Sequence, residues 1–208
     1  MATQKRTRVG LDRDAVLRGA VEFVEREGLE ALSMRRLGAA LGCEAMSLYY
    51  YVDSKDDLLD GIVETVVAGM DLSWAERSGP WEERLKEGYR AYRGLAHTHP
   101  QVFPLIGRPA GRTLAAFRPV EAFLSVLRQA GFAPRAALQA HRTLSSFVYG
   151  YVISELRGLA FESLSPTSAE DWESFPSLAE VLPQVKGVDH DQEFEEGLDI
   201  IVSGLTRE

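Results

Sequence analysis

The chain has 208 residues, 45% of them hydrophobic, and a single cysteine, Cys43. This composition excludes a disordered chain and an intrachain disulfide, and no apolar run is long enough to cross a bilayer. The formal net charge of −8 argues at first against a nucleic-acid partner, but nine Lys or Arg stand against eleven Asp or Glu in residues 1–60 and fourteen against twenty in 61–208, so the acid lies mostly in the later two-thirds.

Met1 to Gly10 carries Lys5, Arg6 and Arg8 with no acid and lacks the apolar core of a signal peptide. It reads as a DNA-binding arm or as a solvated tail, and together with the lone cysteine it fits a cytoplasmic protein. From Leu11 to Glu27 the residues Val16, Leu17, Ala20, Val21, Phe23 and Val24 recur on one broad face, which predicts a helix with Asp12 as N-cap and Gly28 as its stop. Ser33 can cap a second, short helix through Leu37 and Leu41, which Gly42 ends; Glu44 to Val52 follows as a third. Ser54-Lys55-Asp56-Asp57 has capping-box spacing with Asp in place of the usual Glu, and opens a helix to about Leu72.

Ser78-Gly79-Pro80 marks a break, and Trp81 to Thr98 is the next helix, ended by His99-Pro100. Residues 99–111 are irregular. Leu114 to Ala130, Pro134 to Arg157 and Asp191 to Leu205 are further predicted helices, and 158–188, rich in Ser, Pro, Glu and Asp, reads as a mobile loop with one helical piece. No strand and no internal repeat is visible. The expected fold class is all-α: an N-terminal three-helix helix-turn-helix domain at 1–57 and a larger helical ligand-binding and dimerisation domain at 58–208.

Met34 to Tyr51 fits a helix-turn-helix. Gly42 supplies a turn that needs a positive φ, Gly38 permits close helix packing, and Leu37, Leu41, Cys43 and Leu48 fall at inward positions. Glu44, Ala45, Ser47 and Tyr50 would point outward. An ordinary hairpin of an all-α domain gives the same local pattern.

Its surroundings separate the two. Leu32-Ser33-Met34-Arg35-Arg36-Leu37, then Ala40-Leu41-Gly42, then Ser47-Leu48-Tyr49-Tyr50-Tyr51-Val52, then Lys55-Asp56-Asp57-Leu58-Leu59 resemble the DNA-binding domain of the TetR family of transcriptional regulators. The resemblance implies a repressor that a small-molecule ligand releases from a near-palindromic operator. It places Ser33, Arg35, Arg36, Ala45, Met46, Ser47, Tyr49, Tyr50, Tyr51 and Lys55 at the DNA-binding positions, and among them Ala45, Met46 and Ser47 at those that commonly touch bases.

The chemistry of these side chains agrees. Tyr49 and Tyr50 offer hydroxyls to phosphates and rings to sugar or a thymine methyl. Tyr51 suits either that role or the core. Lys55 stands in a first helical turn, where its charge and the free amides both favour phosphate. Arg35 and Arg36 open the second helix, where Arg36 reads equally as a solvated-face residue. The front of the reading helix lacks Arg, Asn and Gln, so no operator sequence follows from it.

The same resemblance implies a homodimer built from two helices per subunit, for which Pro134–Arg157 and the stripe Phe194, Leu198, Ile201 and Leu205 are suited. The effector is a small molecule of unidentified kind. Candidate ligand-facing residues are His97, Phe103, Phe117, Phe147 and Tyr151, with Trp172 a further aromatic; aromatics at helical spacing are equally core. Leu105-Ile106-Gly107-Arg108-Pro109 looks like the loop of the tetracycline sensors, but Pro104 stands where their metal-binding histidine falls. His97 and His99 diverge on a helix, His141 reads as a core or interface histidine, and no metal or other cofactor is expected. The expected partners are double-stranded operator DNA, the effector and a second copy of the chain, with no membrane. The rival readings are a helical-bundle metalloenzyme using His97 and His99, and a helical interaction protein that does not bind DNA. No Gly-rich phosphate loop, nucleophile elbow or paired Glu-x-x-His motif supports an enzyme.

Overall fold

The computed structural model describes residues 11–107, 114–157, 175–181, 183 and 188–208. Among them lie nine α-helices: α1 Arg13–Glu27, α2 Met34–Leu41, α3 Ala45–Leu48, α4 Lys55–Ala68, α5 Trp81–Thr98, α6 Leu114–Gln129, α7 Pro134–Arg157, α8 Pro176–Val181 and α9 His190–Ser203. The described residues contain no strand, and none of their helices is long and apolar enough to cross a membrane. The basic segment at Lys5, Arg6 and Arg8, the residues Arg108 and Pro109, and Trp172 lie outside the described residues. Of the expected loop at 158–188, α8 supplies a helical piece.

The caps form as the local chemistry predicts. Asp12 accepts the amide of Ala15 at 2.7 Å, Ser33 Oγ that of Arg36 at 3.3 Å, and Ser54 Oγ that of Asp57 at 3.0 Å, each satisfying an otherwise orphaned first-turn donor. Asp189 caps α9 by accepting the amides of Asp191 and Gln192.

The chain packs as two units, one of Met1–Asp71 with Gly94–Val120 and the other of Leu72–Arg93 with Glu121–Glu208. In the first, α1 packs on α2 and α4, and α2 on α3. Its core contains Val16, Leu17, Ala20, Val24, Leu37, Leu48, Leu58 and Ile62, all buried. A 3₁₀ turn at Phe103–Gly107 packs on α4 and contributes buried Phe103 and Leu105. Glu25 of α1 holds this stretch by accepting the amides of Gln101 at 3.2 Å and Val102 at 3.0 Å. A segment distant in sequence from the helix-turn-helix therefore completes its core.

The second unit buries Trp74, Leu85, Tyr89, Phe123, Leu127, Phe132, Leu144, Val148, Phe194 and Leu198. Here α9 runs antiparallel along α5 and is joined to it by three ion pairs: Lys86–Asp199 at 2.8 Å, Arg90–Glu195 at 2.6 Å and Arg93–Asp191 at 2.7 Å. The rungs advance by four and three residues on α5 and retreat by four on α9, so one helical face meets another. Arg93, 9% exposed, also grips Glu155 of α7 through two nitrogens at 3.1 and 2.7 Å. The stripe read as a dimer face divides: Phe194 and Leu198 are fully buried within this unit, Ile201 and Leu205 are half-buried, and neighbouring Ile200 is 73% exposed. A Cβ on Gly197 would lie 2.4 Å from the Phe147 ring, so that glycine serves packing of α9 on α7.

Candidate DNA interface

The helix-turn-helix is built around two glycines. Gly42 ends α2 with φ +72°, and its successor Cys43 donates its amide to the Gly38 carbonyl at 2.9 Å. A Cβ at Gly38 would lie 2.9 Å from the Cys43 carbonyl oxygen and 3.1 Å from the Ala45 nitrogen, so α2 and α3 approach backbone to backbone. Leu37 and Leu48 are fully buried and lock the angle between the helices; Leu41 and Cys43, expected inward, are only half-buried.

The third helix is shorter than the predicted Glu44–Val52. It covers Ala45–Leu48, after which the amides of Tyr51 and Val52 both bond to the Leu48 carbonyl, at 2.9 and 3.1 Å. Burial of Val52 turns the chain inward and leaves Tyr49 and Tyr50 on the outside of the bend. The exposed tip carries Met46 (71% exposed), Tyr49 (44%) and Tyr50 (88%), and Lys55 is exposed in the first turn of α4. Ala45 and Ser47 are half-exposed at the front of α3. Met46 on this short helix and Tyr49 and Tyr50 just after it leave large apolar surface in water, the kind of patch that contact surfaces use.

The remaining predicted positions divide. Arg35 is exposed on α2. Arg36 pairs with Glu27 of α1 at 3.1 Å and lies 5.6 Å from the Phe23 ring centroid. Ser33 caps α2. Tyr51 is half-buried, and its carbonyl accepts from Arg13. The Arg13 guanidinium also forks onto Asp57 at 2.9 and 3.1 Å, and this hydrogen bond holds the Asp57 carboxyl below its ordinary pKa, against the opposing effect of burial. The local pattern did not mark Arg13, Glu27 or Asp57 as partners, because these pairs join residues 9 to 44 positions apart.

The candidate effector residues fall in both units. His97 is exposed on α5, Phe103 is fully buried in the core of the first unit, and Phe117 is 55% exposed on α6. Phe147 and Tyr151 do meet, their centroids 5.8 Å apart, and both pack on Phe194. The Tyr151 hydroxyl donates to the His190 carbonyl at 3.0 Å. A second polar group lies inside the same unit: fully buried Tyr89 shares a 3.0 Å hydrogen bond with His141 Nδ1, beside Ser145 and the stacked ring of Phe123. Burial raises the Tyr89 phenol pKa and lowers that of His141, so both stay neutral. Among the described residues no group of three or more His, Cys, Asp or Glu is placed to hold a metal ion.

Two family models match the chain. Residues 16–62 match the model of bacterial regulatory proteins of the tetR family, and 75–208 that of the tetracyclin repressor-like C-terminal domain. An HTH-type transcriptional regulator of Saccharopolyspora erythraea is 31% identical over 97% of this chain and 87% of its own. The class A tetracycline repressor from transposon 1721, in Escherichia coli, is 28% identical over 95% and 91%. The crystal structure of the TetR family protein ActR of Streptomyces coelicolor, in complex with actinorhodin, superposes with a TM-score of 0.78 at 27% identity, covering 94% of this chain and 96% of that one.

Proposed function

From the premise that this chain belongs to the TetR family, and is a DNA-binding transcriptional repressor rather than an enzyme, we propose that residues 1–57 read a near-palindromic operator and that 58–208 dimerise and bind the effector. The exposed cluster of Met46, Tyr49, Tyr50 and Lys55 carries this reading. Met46 and Ala45 suit apolar contact with a thymine methyl, and Ser47 a base-edge hydrogen bond. Tyr49, Tyr50 and Lys55 suit phosphate and sugar, with Arg35 available beside them. Arg36 and Ser33 support this surface from within the subunit. Tyr51 contributes its backbone carbonyl. The work belongs in the cytoplasm, where the operator is.

A homodimer would present two such heads to two half-sites. The exposed faces of α7 and α9, with Leu138 at 49% and Ile200 at 73% exposure, are the surfaces we assign to it. For the effector, Phe147 and Tyr151 are the candidates that stand together, and the Tyr89–His141–Ser145 group adds polar recognition. The relatives include proteins named for tetracycline and one solved with actinorhodin, which favours an effector of a related kind here. Release would act through α4, which begins at Lys55 and carries the Phe103–Gly107 turn against its side.

Footprinting on the DNA flanking the gene tests the reading. Two protected half-sites on one face of the duplex are expected, with binding that weakens as salt rises. Protection of a single half-site, or of none, would refute it. By linkage, operator must weaken effector binding by the factor with which effector weakens operator binding.

A further inference from the structure

The bend between α3 and α4 is held from outside the helix-turn-helix. Arg13, the first residue of α1, donates to the carbonyl of Tyr51 and forks onto both oxygens of Asp57. Asp57 in turn accepts the amide of Asp53 at 2.9 Å, while its own amide is held by Ser54 Oγ at 3.0 Å. These bonds fix residues 51, 53, 54 and 57, which directly follow Tyr49 and Tyr50 and flank Lys55. Arg13 stands 38 residues before Tyr51 and 44 before Asp57.

The Arg13 and Asp57 side chains are 42% and 30% exposed, and ion pairs at such sites add little to the stability of a fold. Asp57 also keeps a negative charge beside a surface that meets a polyanion, where charge alone would disfavour binding. A carboxylate in that place, with its oxygens engaged by a forked guanidinium and a backbone amide, serves geometry.

We propose that Arg13 and Asp57 are positioning residues for operator reading: without touching DNA they set the pitch of the 51–57 bend, and so the angle at which Tyr49, Tyr50 and Lys55 meet the duplex. The inference rests on the DNA-binding reading above.

Charge and geometry predict opposite signs for one substitution. By charge alone, Asp57→Asn tightens binding to every DNA. As a positioning change it weakens operator binding about tenfold, the size of loss that follows when a contact set loosens without losing a member, while random-sequence DNA is bound as well as before or better. Arg13→Lys keeps the charge but loses the planar fork; it should cost operator affinity similarly and leave the slope of log affinity against log salt unchanged. The double variant should be no weaker than the weaker single one, because both remove one device. Circular dichroism and thermal unfolding establish that each variant is folded.

Tighter operator binding by Asp57→Asn would overturn the proposal, as would parallel loss of operator and random DNA. Unchanged operator affinity in both single variants would overturn it while leaving the DNA reading intact. A wild-type chain that protects no operator would overturn both.

Discussion

The two units use charge in different ways. In the first, the ion pairs are small and rim the core: Arg13–Asp57 and Arg36–Glu27 hold turns and helix ends in water, around an apolar interior. In the second, charge runs along the packed faces. Arg93 is sunk between Glu155 and Asp191, and Lys86 and Arg90 continue the line along α5, against Asp199 and Glu195 of α9. Its aromatics also carry polar contacts, buried Tyr89 against His141 and half-buried Tyr151 against the His190 carbonyl. The unit proposed to meet DNA places its polar groups on its outside. The unit that packs long helices against one another keeps several of them within.

The largest expected effect that could break this contrast is at Arg93. Arg93→Met removes the forked guanidinium from Glu155, whose side chain is 15% exposed, and from Asp191, and removing one member of a buried pair costs about 3 kcal/mol. Thermal unfolding should show the loss, and Arg36→Met in the same assay should cost less than about 1 kcal/mol because that pair is exposed. Equal losses would abolish the distinction between the units.

Next in size is Gly38→Ala. Its Cβ would stand 2.9 Å from a backbone oxygen that cannot swing aside, and overpacking of this kind costs about 1–3 kcal/mol. Operator binding should fall with it, whereas Gly150→Ala, in the second unit and with nothing within 4 Å of its Cβ, should leave unfolding near wild type. A Gly38→Ala variant that melts and binds like wild type would show that the close approach of α2 and α3 is not required.

Lys55→Ala should leave stability within about 0.5 kcal/mol, as at other exposed positions. It should weaken operator and random DNA alike and reduce the salt slope by about 1. An unaltered slope, measured by fluorescence anisotropy at several salt concentrations, would remove Lys55 from the phosphate contacts.

The smallest effect concerns pH and sharpens the contrast. His141 is held below its ordinary pKa by burial, so the fold disfavours its protonated form. Its contribution is complete above the unfolded value and is lost as pH falls through the folded one. Asp57 is also depressed, but from a carboxylate value; its contribution is complete above the ordinary Asp pKa and is lost only in stronger acid. Between about pH 7 and 5 the second unit should therefore lose stability while the first does not. Unfolding followed across that range should slope less in His141→Gln than in wild type.

Much of the helix-turn-helix scaffold was legible in the sequence, because its logic is local. Ser54 and Asp57 are three residues apart and cap one helix turn, Gly42 stops a helix at its own position, and Leu37 and Leu48 follow helical spacing. The effector side was less legible. Phe103 and Phe147 look alike in a periodic pattern, yet one fills the core of the first unit and the other packs on Phe194 in the second. Periodicity gives a face its apolarity without naming what covers it.

The sequence by itself determined the helices, their caps, the turn at Gly42 and the family, since each depends on residues within a few positions or on an ordered motif. Only the tertiary structure decided which partner each charge takes. It set Arg36 against Glu27, forked Arg13 onto Asp57, matched α5 to α9 rung by rung, and brought Val102 and Phe103 into the first unit's core. Those choices depend on where the chain returns after tens of residues, which spacing along the sequence does not encode.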